Sequence, residues 1–147
     1  MNNIIYKILL ADDDRDDCFL FSQALAELPI QSHLTTVYNG EEFCEHIFSE
    51  KVIHPDIIFL DLNMPRKNGF DCLKEIKANN NLNQIPIIIV STSDAEFAVQ
   101  QVYDNGAVQF IKKPNDFNVL KNVIARALFA VANKKFAKPS YEHFILK

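Results

Sequence analysis

The chain has 147 residues, the length of one domain, and 48% of them are hydrophobic, which is enough for a sheet covered on both faces. A formal net charge of -4 gives no basic surface for nucleic acid, and no lysine and arginine cluster indicates a membrane surface. The amino terminus lacks a secretory signal, and no apolar run approaches the roughly 18 residues that cross a bilayer. We therefore expect a cytoplasmic protein of one domain that binds neither nucleic acid nor membrane.

Short apolar runs alternate five times with segments of helical periodicity along the chain. This alternation is typical of a parallel sheet with crossover helices. The predicted strands cover residues 7–11, 33–38, 56–60, 86–91 and 108–112. The predicted helices cover residues 14–28, 40–49, 68–79 and 94–105, with a fifth from 116 to about 133. The fourth opens on Asp94, a good capping residue.

The composition of the strands predicts their order in the sheet. The first, third and fourth strands are apolar without polar alternation, which is typical of central strands buried on both faces. The second strand is more polar and suits an edge. We therefore predict a doubly wound α/β fold with a five-stranded parallel sheet in the flavodoxin-like order 2-1-3-4-5, whose switch point lies between strands one and three.

The predicted strands end at residues with charged or hydroxyl side chains. The first strand runs into Asp12 and Asp13, the third into Asp61, and the fourth stops at Ser91, while Lys113 comes directly after the fifth. The carboxyl ends of the strands in an open parallel sheet line one crevice. We expect these five side chains to converge there. Asp14, the next residue after Asp13, is better suited to capping the first helix.

Carboxylates that meet in a crevice must be neutralised. A like-charge pair about 4 Å apart costs roughly 4 kcal/mol at an effective dielectric of about 20. Magnesium suits such a site because it takes oxygen ligands and needs only one or two protein carboxylates. Asp12 and Asp13 would position it, directly or through water. Asp61 would then be the nucleophile of aspartyl-phosphate chemistry, with Lys113 neutralising the transferring phosphoryl group and the Ser91 hydroxyl bonding one of its oxygens.

These residues together resemble the receiver domain of two-component response regulators, the CheY-like fold, over about residues 6 to 132. The resemblance implies that Asp61 is phosphorylated by a sensor histidine kinase or a phosphotransfer protein. It implies that Ser91 and Lys113 contact the phosphoryl group. It also implies a Mg²⁺ site formed by Asp12, Asp13, Asp61 and the backbone carbonyl of Asn63. The motifs that carry the resemblance are Asp12-Asp13, Asp61 with Asn63-Met64-Pro65 and Gly69, Ser91, Phe110, and Lys113-Pro114.

The same resemblance identifies a switch and two departures from the usual pattern. In receivers the hydroxyl at the position of Ser91 moves toward the phosphoryl group, and the aromatic at the position of Phe110 turns inward. A tyrosine is frequent there, so Phe110 keeps the packing change but lacks a phenol donor. Thr92 is larger than the residue often found after the switch hydroxyl, and we expect it to modulate dephosphorylation. The Pro114 that follows and the strand register both favour Lys113 over Lys112 as the functional lysine. The resemblance also implies a cis peptide before Pro114.

The carboxyl-terminal segment bears on output. We predict a receiver domain over residues 1–133 and a tail over 134–147 with no separate effector domain, so that output passes through a protein surface. Two interpretations of the tail stay open: an apolar stripe on the last helix binds a downstream protein or a second copy of the chain, or the tail folds back over that stripe. The Asn-rich connection before Pro86 and the aromatic tail resemble small regulators that accompany phytochrome-type histidine kinases. The stripe consists of Ala125, Phe129, Ala132 and Phe136.

Two other functions compete with this interpretation. A phosphatase of the haloacid-dehalogenase type also phosphorylates an aspartate, but it needs a second aspartate two positions later, where this chain has Asn63. A receiver-like module that binds proteins without phosphorylation would not need the complete set of acids, hydroxyl and lysine. A nucleotide-binding role has less support, because the sequence contains no Gly-rich phosphate loop.

Overall fold

The computed structural model describes residues 4–132 and 139–146. Within these ranges five helices alternate with the first five strands, and a short 3-10 helix precedes a sixth strand. The strands are β1 Tyr6–Ala11, β2 Ser32–Val37, β3 Ile57–Asp61, β4 Ile87–Ser91, β5 Gln109–Lys112 and β6 Ile145–Leu146. The helices are α1 Arg15–Ala26, α2 Gly40–Ile47, α3 Gly69–Ala78, α4 Glu96–Asp104 and α5 Phe117–Ala132, and the 3-10 helix is Tyr141–His143.

The strands form one parallel sheet in the order β2-β1-β3-β4-β5-β6. The predicted order of the first five strands is confirmed. Every residue of β3 and β4 is buried, as their continuous apolar sequence predicts, and β2 at the edge is only partly buried. The sheet has one strand more than predicted, because the two residues of β6 are too few to show a strand periodicity.

The helices cover both faces of the sheet and create two apolar cores. Side chains alternate between the faces along a strand. In β1, Leu9 packs in the core with α2, α3 and α4, and Ile8 packs in the core with α1 and α5. The three cysteines are free thiols within these helical layers. Among the described residues, no helix combines the length and the apolar character that crossing a bilayer requires.

Polar caps fix where three of the helices begin. The Asp14 carboxylate accepts a hydrogen bond from the Asp17 N–H at 3.0 Å, so Asp14 caps α1 as predicted. Asn39 and Asn68 cap α2 and α3 in the same way. The expected cap of the fourth helix at Asp94 is wrong, because α4 begins at Glu96 without a side-chain cap. The Asp94 carboxylate instead lies 3.5 Å from the ammonium of Lys112, the last residue of β5.

The described part of the tail extends the sheet beside β5. The backbone N–H of Phe110 donates to the carbonyl of Phe144 at 3.0 Å, and the Gln109 side-chain amide donates to the carbonyl of His143 at 3.0 Å. The Phe144 ring is fully buried, with its centroid 5.0 Å from that of Tyr103 on α4. Residues 139–146 of the tail therefore belong to the same sheet and apolar core as the rest of the domain.

This placement bears on the apolar stripe of α5. The tail contacts described above are to β5 and α4, and Phe129 in the middle of the stripe is 48% exposed. Phe136 lies outside the described residues. Residues 139–146 thus leave Phe129 available to a binding partner.

We expect Phe144→Ala to lower the free energy of unfolding by about 3 kcal/mol, because truncating a fully buried phenylalanine leaves a cavity. Urea denaturation followed by circular dichroism measures the change. Phe97→Ala is the matched control, since Phe97 is 75% exposed and its truncation is expected to change the free energy by less than about 0.5 kcal/mol. Equal losses in the two variants would contradict the docking of the tail on β5.

Candidate functional site

The candidate site lies at the carboxyl ends of the central strands. Asp12 follows β1, Asp61 is the last residue of β3, Ser91 is the last residue of β4, and Lys113 follows β5. Parallel pairing of β1, β3, β4 and β5 brings these ends together at one edge. Asp12, Asp61 and Ser91 are all nearly inaccessible, with 2%, 4% and 1% exposure. The sequence prediction that these residues share one crevice agrees with this placement.

Close packing of α3 fixes the backbone after Asp61. The Gly69 N–H donates to the Leu62 carbonyl at 2.9 Å. A Cβ atom at Gly69 would lie 2.1 Å from the carbonyl oxygen of Asp61, closer than any side chain allows. Glycine is therefore required here by close approach rather than by a turn. The first residue of α3 therefore fixes the start of the loop that follows Asp61.

Three carboxylates form a compact oxygen cluster. Carboxylate oxygens of Asp12, Asp13 and Asp61 lie within 4.8 Å of one another. One oxygen of Asp12 accepts the Asp14 N–H at 3.0 Å, and one oxygen of Asp61 accepts the Asn63 N–H at 3.1 Å. These backbone donors hold the two buried side chains in place. A set of hard oxygen donors at this spacing fits a divalent cation such as Mg²⁺.

Lys113 supplies the positive charge that faces the cluster. Its ammonium Nζ lies 2.8 Å from Asp12 Oδ2, 2.8 Å from Asp17 Oδ2 and 3.3 Å from Asp61 Oδ2. Its backbone N–H donates to the Ser91 carbonyl at 2.8 Å, which fixes the loop after β5. Lys112 instead pairs with Asp94 outside the cluster, so Lys113 is the lysine of this pair that contacts the carboxylates.

Sequence reasoning missed one residue of this arrangement, Asp17. It was assigned only to the first helix, although it follows Asp13 by four residues and so comes one helical turn after the acidic run. That spacing was the available signal. The spacing points to the site only once the contact between Asp17 and Lys113 is known.

Burial and repulsion control the protonation of Asp61. The pKa of Asp61 is raised to about 7. Burial is the largest cause and the charge of Asp12 adds to it, while Lys113 and the Asn63 N–H partly oppose the shift. Burial alone would lower the pKa of Lys113, but hydrogen bonds to Asp12 and Asp17 more than offset it and the net shift is upward. The lysine therefore stays charged, while Asp61 titrates near neutral pH.

The remaining predicted residues surround this centre. The Ser91 Oγ accepts a hydrogen bond from the Ser93 N–H at 3.3 Å, and Thr92 between them is exposed. Asn63 is exposed on the loop after β3. Phe110 is fully buried, with its ring centroid 6.2 Å from that of Phe144. The candidate switch aromatic thus packs against the tail.

The expected cis peptide before Pro114 is wrong, because the Lys113–Pro114 bond is trans. Trans is the lower-energy form of a peptide bond before proline by about 0.5 to 1 kcal/mol, so a cis bond forms only where packing requires it. Lys113 reaches Asp12 and Asp61 with the trans bond in place.

We expect Asp61→Asn to remove a pH dependence of stability in metal-free buffer. The folded-state pKa of about 7 lies above the ordinary value of 3.8, so the protonated carboxyl stabilises the fold at low pH. This contribution is lost as the pH rises toward and through 7. At pH 8 the variant should exceed the wild type in free energy of unfolding, by about 1.4 kcal/mol for each pKa unit of the shift.

Urea denaturation at a series of pH values measures this difference. Asp16→Asn, at an exposed position on α1, is the control for removing one negative charge and should keep the wild-type profile. Parallel profiles for wild type and Asp61→Asn would show that Asp61 is ionised throughout.

Comparison with known proteins identifies the family to which the chain belongs. The family model for the response regulator receiver domain matches residues 8–125. The regulatory protein AtoC of Escherichia coli strain K12 is 30% identical over 132 residues, which is 89% of this chain but 27% of AtoC. The chain thus spans about a quarter of that curated relative.

Solved structures show the same fold. The phosphorylated cyanobacterial phytochrome response regulator RcpA superposes with a TM-score of 0.83 at 30% identity, over 93% of this chain and 100% of RcpA. The Mn²⁺-bound response regulator Rcp1 gives 0.78 at 26% identity, over 92% of this chain and 99% of Rcp1. The buried acidic cluster, the lysine that faces it and these matches lead to one conclusion: the chain belongs to the family of response regulator receiver domains of two-component signalling.

Proposed function

We propose that this protein acts as a response regulator whose Asp61 accepts a phosphoryl group from a histidine kinase or a phosphotransfer protein in the cytoplasm. The observation that supports it is the clustering of Asp12, Asp13 and Asp61 oxygens within 4.8 Å, with the Lys113 ammonium 3.3 Å from Asp61. This arrangement supplies a nucleophile, a cation site and a counter-charge. Its chemistry is limited to forming and hydrolysing its own aspartyl phosphate.

Mg²⁺ is the proposed cofactor. Asp12, Asp13, Asp61 and the backbone carbonyl of Asn63 would hold it, because oxygen donors are the ligands that this ion prefers. When bound, it neutralises carboxylate charge and the charge on the transferring phosphoryl group. The similar response regulator Rcp1 has a Mn²⁺-bound form, which supports a divalent cation in this chain too.

Asp61 is the proposed nucleophile. An oxygen of its ionised carboxylate forms a bond to phosphorus while the bond from phosphorus to the donor histidine nitrogen breaks, and the electron pair stays on that nitrogen. Lys113 donates hydrogen bonds to phosphoryl oxygens. The Ser91 hydroxyl accepts from Ser93 and keeps its own proton to donate to another phosphoryl oxygen.

The proposed switch couples Ser91 to Phe110. When the Ser91 hydroxyl moves toward the phosphoryl group, the Phe110 ring repacks into the space that it leaves. Because phenylalanine has no hydroxyl, the output depends on packing and not on a phenol hydrogen bond. Phe110 is on β5, directly beside the tail, so this repacking acts at the edge of the sheet where β6 lies.

The proposed phosphodonor is a phytochrome-type histidine kinase, because the similar protein RcpA is a phytochrome response regulator. The output surface is the apolar stripe of α5, with Phe129 at 48% exposure. A downstream protein or a second copy of the chain would bind there. Light-scattering mass with and without beryllofluoride, a phosphoryl mimic, separates these two occupants.

The rival functions have less support from the site. A haloacid-dehalogenase-type phosphatase would place a carboxylic acid two residues after Asp61, and this position holds the amide Asn63. A binding module that is not phosphorylated does not require a buried acid such as Asp61, whose ionised form is destabilised by burial and by the charge of Asp12.

We expect incubation with Mg²⁺ and acetyl phosphate to add one phosphoryl group to the wild type, detected by intact-mass spectrometry. Asp61→Asn should show no adduct, since an amide does not form an acyl phosphate. The Asp16→Asn variant should be labelled like the wild type. Steady release of phosphate without an adduct would indicate a phosphatase, and no reaction in any variant would indicate a binding module.

We expect Thr92→Ala to shorten the lifetime of the aspartyl phosphate. Thr92 is exposed directly after Ser91, so its branched side chain borders the path of the hydrolytic water. Decay of the purified phosphoprotein, followed by intact mass, measures the lifetime. Thr36→Ala, on β2, is the control for the same truncation. Equal lifetimes for wild type and Thr92→Ala would remove this role.

A further inference from the structure

Asp17 contacts the proposed phosphoryl-binding lysine from outside the carboxylate cluster. Its Oδ2 lies 2.8 Å from Lys113 Nζ, as close as Asp12 and closer than Asp61 at 3.3 Å. Asp17 is absent from the group of carboxylates spaced to bind one cation. It therefore binds the lysine without being a candidate ligand of the metal.

Both partners of this ion pair are anchored by their backbones. The Asp17 N–H donates to the Asp14 carboxylate at 3.0 Å in the cap of α1. The Lys113 N–H donates to the Ser91 carbonyl at 2.8 Å at the end of β5. The ion pair thus joins the first turn of α1 to the loop after β5. The Lys113 side chain is 13% exposed and that of Asp17 is 35% exposed, so the pair is only partly screened by water.

The donor capacity of the lysine limits how the site works. An ammonium has three N–H donors, and Lys113 has three carboxylate neighbours. If Asp12 and Asp61 turn to a cation, and Asp61 carries a phosphoryl group, two of these contacts weaken. Asp17 has no second function in the site and keeps its contact. The ammonium would then stay at the rim of the pocket with its remaining donors directed to the phosphoryl oxygens.

We propose that Asp17 is a positioning residue that holds the Lys113 ammonium at the rim of the pocket while Asp12 and Asp61 engage the cation and the phosphoryl group. This role rests on the proposed function. Without Asp17 the flexible lysine side chain must be ordered by the phosphoryl group itself, and the conformational entropy lost on binding weakens that interaction.

The test is beryllofluoride binding in the presence of saturating Mg²⁺, measured by ¹⁹F NMR. We expect Asp17→Asn to weaken this binding about tenfold, which corresponds to about 1.4 kcal/mol. The rate of phosphorylation by acetyl phosphate should fall with it. Asp17→Glu, which restores a carboxylate on a longer side chain, should recover part of the affinity.

The control separates positioning from charge. Asp16→Asn makes the same substitution one residue earlier in the same helical turn, at an exposed position, and should bind beryllofluoride like the wild type. Mg²⁺ affinity, measured by calorimetry, should change less than twofold in both variants, because neither residue is a proposed ligand. A purely structural role of Asp17 would lower the urea midpoint without changing the beryllofluoride affinity of the folded protein.

Two failures are distinguishable. If the wild type forms no adduct with acetyl phosphate and binds no beryllofluoride, the proposed function is wrong and the role of Asp17 is lost with it. If the wild type does both and Asp17→Asn matches it, only the positioning role is overturned. Equal weakening in Asp16→Asn and Asp17→Asn would also overturn it, because the effect would then come from net charge.

Discussion

The site depends on one electrostatic constraint: among the residues that the structure describes, the buried carboxylates at the end of the parallel sheet share a single ammonium, that of Lys113. Asp12 and Asp61 are almost inaccessible, and the Lys113 side chain has little contact with solvent. Burial raises the pKa of Asp61, and the charge of Asp12 raises it further because one ammonium does not balance the acids around it. A divalent cation would relieve this imbalance by adding positive charge. A phosphoryl group on Asp61 would instead add negative charge, and would therefore depend on that cation and on Lys113 for compensation.

The fold supplies this arrangement through backbone contacts far from any reacting atom. Parallel pairing of β1, β3, β4 and β5 sets the carboxyl ends side by side. Gly69 lets α3 approach the Asp61 carbonyl, and the Ser91 carbonyl holds the loop of Lys113. Each reactive side chain is therefore carried by a strand end that is itself fixed by a neighbour. This support and the Lys113 ammonium hold the like charges close together.

Much of the fold and site followed from the sequence because two strong patterns coincide. Continuous apolar runs identify buried parallel strands, and their ends share one edge, so Asp12, Asp61, Ser91 and Lys113 could be grouped without coordinates. Strand β6 could not be predicted, since two residues give no periodicity and its stability comes from burying Phe144 against Tyr103. The cap at Asp94 failed because pairing with Lys112 competes for the same carboxylate. Asp17 was missed because its significance depends on a contact between residues 96 positions apart.

The sixth strand has a consequence for how motion at β5 would spread. Phe110 pairs along the backbone with the tail and also packs its ring against Phe144, while Phe144 contacts Tyr103 of α4. A densely packed interior resists local voids. Rotation of Phe110 would therefore oblige Phe144 to follow or leave unfilled volume behind it. The Phe144 ring thus contacts both Phe110 and helix α4, so a displacement of Phe110 would change the packing of α4 and of the described tail.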